Sequence, residues 1–242
     1  TIAGTWSINE FISDVPVMDG NIAMNSLFAI PGYYLAEECS ATSSGNLDWI
    51  LENFVDKQKI PEGKDIYTYV NELVDSVKPE DSEVYFFPFL YGSNAHPLGK
   101  ASFIGLTSYH NIAHVLRAVY EGVSFSHKRH IDKLLASRTA PEAIRMAGGP
   151  VQSRVWVQMF ADVLGYPIET VDARELGALG CAMSAAVAAG IYKDYKDAAE
   201  HMVRIPERIY PDPDRVKIYQ EKYKKYILVS NALDTVWGQF EV

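Results

Sequence analysis

The C-terminal part of the chain alternates strand-like and helical segments, and this alternation constrains the fold more than any other feature of the sequence. Apolar runs at 143–147 and 167–171 are each followed by a segment of helical character, at 154–164 and 175–189. Strands that alternate with helices form layered α/β domains, because each helix covers an apolar face of the sheet. The sequence therefore predicts an α/β fold.

The rest of the chain carries further signals of both kinds, without a linker, an internal repeat or a low-complexity stretch. Strands are predicted at 1–11, where β-formers surround Gly4 as in a hairpin, and at 26–30, 33–38, 84–90 and 101–106. Helices are predicted from Ser43 or Ser44 to 54, and at 66–77, 111–135 and 214–229. We expect a single domain over residues 1–242.

Charge and cysteine content limit the partners that the protein can have. The formal net charge is −9, and a nucleic-acid surface needs clustered Lys and Arg, so no nucleic-acid partner is expected. Cys39 and Cys181 can form neither a disulfide framework nor a Cys-rich zinc site, which indicates a reducing compartment. The longest uncharged apolar run, 176–192, is shorter than the ~20 residues that span a membrane. We expect a cytoplasmic protein without a membrane partner.

A double glycine joins the strand at 143–147 to the helix at 154–164. Gly148 and Gly149 allow a ligand to approach the backbone, and the helix that follows Ser153 directs its N-terminus at the same place. The segment lacks both the Gly-Lys-Ser/Thr of a phosphate-binding loop and the third glycine of a dinucleotide fingerprint, although Glu169 stands where a ribose-binding acid would. Taken alone, it favours a plain strand-to-helix turn capped by Ser153.

Two other segments hold polar residues of interest. Gly4 and Thr5 in a hairpin can offer backbone N–H groups and a hydroxyl to a phosphate, although Thr in a strand is usually only a β-former. His114, Arg117 and Glu121 fall on one side of the long helix. For these three, a structural cluster that clamps the helix to a strand is favoured over a catalytic role.

Together, three segments resemble motifs of the FGGY carbohydrate kinases, in the family's order. Gly105-Leu106, His114 after a seven-residue gap, and the run 118–121 resemble the family's second signature. The segment 148–164 resembles its adenosine motif, and Gly4-Thr5 resembles its phosphate hairpin. The resemblance covers nearly the whole chain but only the C-terminal half of a complete kinase. Within the family, the opening residues are most similar to the L-xylulose and 3-keto-L-gulonate kinases.

The resemblance implies an actin-like ATPase (ribonuclease H-like) domain, with a mixed central sheet flanked by helices, that binds ATP with Mg²⁺. It implies that Gly4 and Thr5 meet the phosphates, that Gly148 shapes the turn, and that Gly149 and Ser153 border the adenosine. The activity implied is phosphorylation of a sugar hydroxyl, with a pentulose such as xylulose or L-xylulose, or a keto-sugar acid, as substrate. The sugar would bind through the N-terminal half, and a homodimer is left open.

The chain departs from the family pattern in two places. Tyr109 stands where glycerol kinases have a glycine near the nucleotide, and no role follows for it. The family's catalytic aspartate precedes the phosphate hairpin, whereas Asp14 and Asp19 follow it. We therefore assign no catalytic residue and no metal ligand, and expect a cut from a longer protein that is inactive alone. The alternatives are an actin- or chaperone-like ATPase lobe and a non-catalytic nucleotide-binding interaction domain.

Overall fold

Nine strands form in the computed structural model of the chain, which describes residues 1–18, 20–173 and 175–240. They are β1 (Ile2–Ala3), β2 (Ser7–Ser13), β3 (Met24–Leu27), β4 (Tyr34–Ser40), β5 (Tyr85–Phe87), β6 (Ser102–Ile104), β7 (Ile144–Gly148), β8 (Ile168–Thr170) and β9 (Glu207–Ile209). Seven make one sheet in the order β3-β4-β2-β1-β7-β8-β9, and β5 pairs with β6 separately. β1 runs parallel to β7 and β7 to β8, whereas the other neighbours are antiparallel. The predicted mixed sheet is confirmed.

Seven α-helices accompany the strands in the described part of the chain. They are α1 (Gly45–Phe54), α2 (Ile66–Asp75), α3 (Ile112–Leu135), α4 (Arg154–Leu164), α5 (Leu176–Ala188), α6 (Tyr195–Met202) and α7 (Pro213–Trp237). Several begin at side chains that accept hydrogen bonds from the first free N–H groups, as Asp65 does for α2 and Asp212 for α7. In those helices, the capping residue marks where the helix begins.

Helix α3 is the centre of the core, and residues 116–127 are all buried. It packs against β2, β4, β5, α1, α2 and α4. Leu116, Val119 and Val123, which recur at helical spacing along α3, are each fully buried. A Cβ at Gly122 would lie 2.2 Å from the carbonyl oxygen of Phe86, so the helix crosses β5 at a distance that only glycine permits.

A buried charged cluster joins α3 to α7 and to the end of α2. The Nε of Arg117 lies 2.8 Å from Glu121, and its other nitrogens donate to the Tyr219 hydroxyl and the Val74 carbonyl. Lys222 on α7 forms a second ion pair with Glu121. The prediction of a structural cluster is confirmed, but its proposed link to a strand is wrong, because these partners lie on helices and at a helix end.

Other predictions need correction. Helix α7 continues to Trp237 instead of ending at 229, and α6 and β9 were not predicted. Charged and apolar residues are intermixed around α7, so no clean apolar stripe marks its extent. β9 is a three-residue edge strand in which Ile209 alone is buried. His114 does not join the charged cluster, because it accepts the backbone N–H of Asn111 in the cap of α3.

Candidate nucleotide site

The carboxyl ends of β1 and β7 lie side by side at the middle of the sheet. Ala3 pairs with Gly148 in parallel register. Gly148 has a φ of +100°, and a Cβ there would lie 2.2 Å from the carbonyl oxygen of Ala3, so the pairing requires glycine. As a result, the hairpin that begins at Gly4 and the turn that begins at Gly149 are neighbours in space.

The start of α1 joins this junction through Ser44. Its hydroxyl donates to the carbonyl oxygens of Ala3 and Gly4, at 3.2 and 2.9 Å. A Cβ on Gly149 would lie 3.9 Å from the same hydroxyl oxygen. Sequence reasoning placed Ser43 or Ser44 as a helix cap, but the side chain of Ser44 makes no capping bond. Ser44 instead holds the hairpin, a role that no sequence signal indicated.

The hairpin presents Thr5 to solvent. The Thr5 side chain is exposed, and its hydroxyl has no hydrogen-bond partner among the described residues. A Cβ on Gly4 would meet nothing within 4 Å, so the packing of the hairpin does not itself demand glycine. The tip of the hairpin is therefore exposed, and it follows the strand end that pairs with Gly148.

A cavity of about 420 Å³ lies between α1, α2 and the turn at 149–152. Gly149 and Ser153 line it, together with Ser44, whereas Gly4, Thr5 and Gly148 do not. Leu47 and Trp156 supply apolar wall, and no Lys or Arg is among the residues that line it. Such a lining suits an uncharged, flat group better than a phosphate. The predicted site residues thus divide between the cavity and the neighbouring strand ends.

Ser153 and Tyr120, which line this cavity, belong to one hydrogen-bonded cluster. The Ser153 hydroxyl accepts the N–H of Trp156 at 3.1 Å, which caps α4, and donates to Oδ1 of Asn71 at 2.6 Å. The Tyr120 hydroxyl donates to the same Oδ1 at 2.9 Å, and the Tyr120 ring stacks on Trp156 with centroids 4.0 Å apart. Burial raises the pKa of the Tyr120 hydroxyl, so it stays a donor at neutral pH.

The outer edge of the cavity is acidic. The hydroxyl of Tyr67 donates to Asp48 at 3.0 Å, which ties α2 to α1. Burial and this carboxylate raise the pKa of Tyr67, and hydrogen bonds from Thr68 lower the pKa of Asp65. A rim of this sign repels anionic groups such as phosphates.

Comparison with known proteins fits this arrangement. The model of the C-terminal domain of the FGGY family of carbohydrate kinases matches residues 1–189. The chain belongs to the FGGY family. It is 34% identical over 227 residues to the L-xylulose/3-keto-L-gulonate kinase of Escherichia coli (strain K12), which covers 93% of the chain and 44% of that protein. It is 35% identical over 240 residues to a "Probable L-xylulose kinase" of Haemophilus influenzae, covering 96% and 46%.

Solved structures support the fold of this FGGY domain. A ligand-bound xylulose kinase from Lactobacillus acidophilus superimposes with a TM-score of 0.87 at 23% identity, over 99% of the chain and 48% of that structure. The fold is the actin-like ATPase fold, with a mixed sheet flanked by helices, as the sequence predicts. The chain spans a little under half the length of the curated relatives reported above.

Other residues noted in the sequence lie apart from the cavity of the FGGY domain. Glu169 bonds to Arg145 and Arg208 across the sheet, and these bonds lower its pKa against the effect of burial. Glu169 therefore forms cross-strand ion pairs and does not line the cavity beside Gly149 and Ser153. Tyr109 is 69% exposed and packs on His110. Asp14 is exposed just beyond β2, and Asp19 lies outside the described residues.

Another cavity, of about 610 Å³, lies elsewhere, beside Thr1 and α3. Within residues 1–18, 20–173 and 175–240, no group of three or more His, Cys, Asp and Glu is placed to hold a metal ion. Nor does this part of the chain contain a helix both long and apolar enough to cross a bilayer.

Proposed function

We propose that this chain is the nucleotide-binding half of a carbohydrate kinase that transfers the γ-phosphoryl group of ATP to a sugar hydroxyl. The observation that carries the proposal is the meeting of the Gly4 hairpin and the Gly148-Gly149 turn beside one cavity. Ligands of α/β folds bind at the carboxyl ends of parallel strands, where β1 and β7 end here. The names of the relatives support a pentulose such as L-xylulose or xylulose, or a keto-sugar acid, as substrate.

Each predicted site residue has a role in this proposal. Thr5 donates its free hydroxyl to a phosphate, and Gly4 leaves the hairpin backbone open to it. Gly148 holds the two strand ends together, and Gly149 and Ser153 border the adenosine in the cavity. With no Lys or Arg on its walls and an acidic rim, the cavity binds the nucleoside end, and the exposed hairpin receives the phosphates.

Within the described residues, no group of three or more His, Cys, Asp and Glu is placed to hold a metal ion, and we name no Mg²⁺ ligand on this chain. When bound to ATP, Mg²⁺ neutralises charge on the phosphates during transfer. The catalytic aspartate and the sugar-binding residues belong to the other half of the longer protein, so the chain alone does not phosphorylate a sugar.

Helix α5 supports the proposal of a second half. It has no charged residue and no buried side chain, although it is the most apolar of the helices in the described residues. An exposed apolar surface that runs along a whole helix normally contacts a partner. We propose that the other half of the kinase covers it, and that closure of the two halves excludes water from the nucleotide.

Nucleotide binding by the purified chain tests the proposal. We expect calorimetry to detect ADP binding, and Thr5→Val to weaken it about 3- to 10-fold, because one hydrogen bond to phosphate is lost. Gly149→Val should weaken it more, because its side chain enters the cavity. The control is Thr235→Val, which removes an exposed hydroxyl on α7.

The same preparation separates the alternatives. Incubated with ATP, Mg²⁺ and L-xylulose, the chain should form no sugar phosphate. Turnover of the sugar by the chain alone contradicts the two-half proposal. Sugar-independent ATP hydrolysis favours an actin- or chaperone-like lobe, and failure of both variants to change ADP binding favours an interaction domain.

Location and assembly follow as further proposals. Cys39 and Cys181 are both free thiols, which supports a cytoplasmic location, where thiols remain reduced and ATP is available.

A homodimer is tested by light scattering on the purified chain: a mass near 54 kDa supports it, and a mass near the 27.0 kDa of one chain contradicts it.

A further inference from the structure

Asn71 is the side chain in the cavity wall that offers an unused hydrogen-bond donor. It lies on α2, it is partly buried, and it lines the cavity beside Ser153. Its Oδ1 accepts two hydrogen bonds, whereas its Nδ2 has no acceptor among the described residues. A polar group at a ligand cavity that lacks a protein partner is a natural contact for the ligand.

The neighbouring hydroxyls determine which way the amide faces. The Ser153 oxygen already accepts the N–H of Trp156, so its own proton is directed at Asn71. The Tyr120 hydroxyl donates its proton to the same amide oxygen. With Oδ1 turned toward both hydroxyls, the NH₂ group turns the other way, into the cavity.

The position of Asn71 is also rigid. Val70 beside it and Val74 one turn later are fully buried, so α2 is anchored in the core on that side. Asp65 caps the helix, and Tyr67 ties its first turn to Asp48 on α1. A donor held on a packed helix by two hydrogen bonds loses little side-chain entropy when it binds a ligand.

We propose that Nδ2 of Asn71 donates a hydrogen bond to a ring nitrogen of the purine base and so acts as the base-recognising side chain of this site. This inference rests on the proposed function, because it takes the base of ATP or ADP as the occupant. The ring nitrogens N1, N3 and N7 of adenine accept hydrogen bonds and cannot donate them, so an NH₂ group matches them. Leu47 and Trp156 supply the apolar contact that the faces of a purine need. Ser153 thereby acts as a positioning residue that orients Asn71.

ADP analogues test the proposal without any change to the protein. In three analogues, N1, N3 or N7 is replaced by CH, and each is titrated against the unaltered chain by calorimetry. We expect one of the three to bind about 3- to 10-fold more weakly than ADP, because it lacks the acceptor of the Asn71 hydrogen bond. The other two should bind as ADP does.

The variant Asn71→Asp assigns that loss to Asn71. It keeps an oxygen for Ser153 and Tyr120 and replaces the donor by an acceptor. We expect ADP to bind it about tenfold more weakly, and the sensitive analogue to bind it as well as ADP does. The control is Asn53→Asp, which makes the same change at an exposed position on α1 away from the cavity.

The outcomes distinguish this inference from the proposed function. If the chain binds ADP and all three analogues equally, or if Asn71→Asp still discriminates among them, Asn71 does not read the base and the nucleotide site stands. If the unaltered chain binds no ADP, the proposed function and the inference fail together. Selective loss with one analogue that disappears in Asn71→Asp supports both.

Discussion

At the scale of single residues, Gly148 is a position of the site that cannot accommodate a side chain. Its φ of +100° and its contact with the Ala3 carbonyl both exclude a side chain. We expect Gly148→Ala to lower the free energy of unfolding by about 3 kcal/mol, because backbone strain and a steric clash add together. Urea denaturation measures this.

The matched control for Gly148 is Gly4→Ala. Gly4 has no neighbour within 4 Å of its missing Cβ and no positive φ, so the free energy of unfolding should change by less than about 1 kcal/mol. Equal losses for the two variants would show that the β1–β7 contact does not depend on glycine.

Also at this scale, the sequence identifies the special glycines but not their partners. Gly148 and Gly149 stand out because they interrupt an apolar strand before a helix. Ser44 and Asn71 do not, because each acts on residues that are distant in the chain, Ser44 on Ala3 and Gly4 and Asn71 on Ser153. No local pattern records such contacts, and a serine before a helix is read as a cap.

At the scale of elements, the buried cluster around Glu121 holds α7 against α3. We expect Lys222→Met to lower the free energy of unfolding by about 3–5 kcal/mol, because it removes one of the two cations beside a buried carboxylate. Chemical denaturation measures the loss.

The control at this scale is Lys225→Met on the same helix. Lys225 pairs with Glu83 at the surface, where both side chains are more than half exposed, so its removal should cost about 1 kcal/mol or less. If Lys222→Met lowered the free energy of unfolding no more than Lys225→Met does, the buried ion pair would not stabilise the contact between α7 and α3.

Helices and strands differ in how well they can be predicted. The long α3 and the succession β7, α4, β8, α5 follow from periodicity within each segment, and their bounds agree with the prediction to within a residue or two. Helix α6 has eight residues and β9 three, so each is too short for a sustained pattern to mark it in the sequence. Strand β5 is shorter than its apolar run because core packing, rather than pairing, buries the flanking Val84 and Phe89.

At the scale of the whole molecule, the exposed apolar surface of α5 is the feature that would contact the proposed second half of the kinase. Ala185 on α5 is exposed, so we expect Ala185→Glu to change the free energy of unfolding of this chain by less than about 0.5 kcal/mol. In a full-length kinase the same change should weaken the contact between the halves and lower the affinity for ADP in the presence of sugar.

Ala198→Glu on α6 is the comparison for that experiment, since Ala198 is fully buried and the change should unfold its surroundings. Strong destabilisation by Ala185→Glu in the isolated chain would mean that α5 is already covered, contrary to the structure. An unchanged affinity in the longer protein would mean that its other half lies elsewhere.

The parallel pairing of β1 with β7 also has a consequence for the order of folding. β1 reaches its neighbour β2 through a tight hairpin, but its other neighbour is made about 140 residues later. During synthesis, one edge of β1 therefore has no strand to pair with until β7 has been made. The two strand ends beside the proposed nucleotide site, Ala3 and Gly148, are then joined in one late step, so a chain that ends before β7 should not bind ADP.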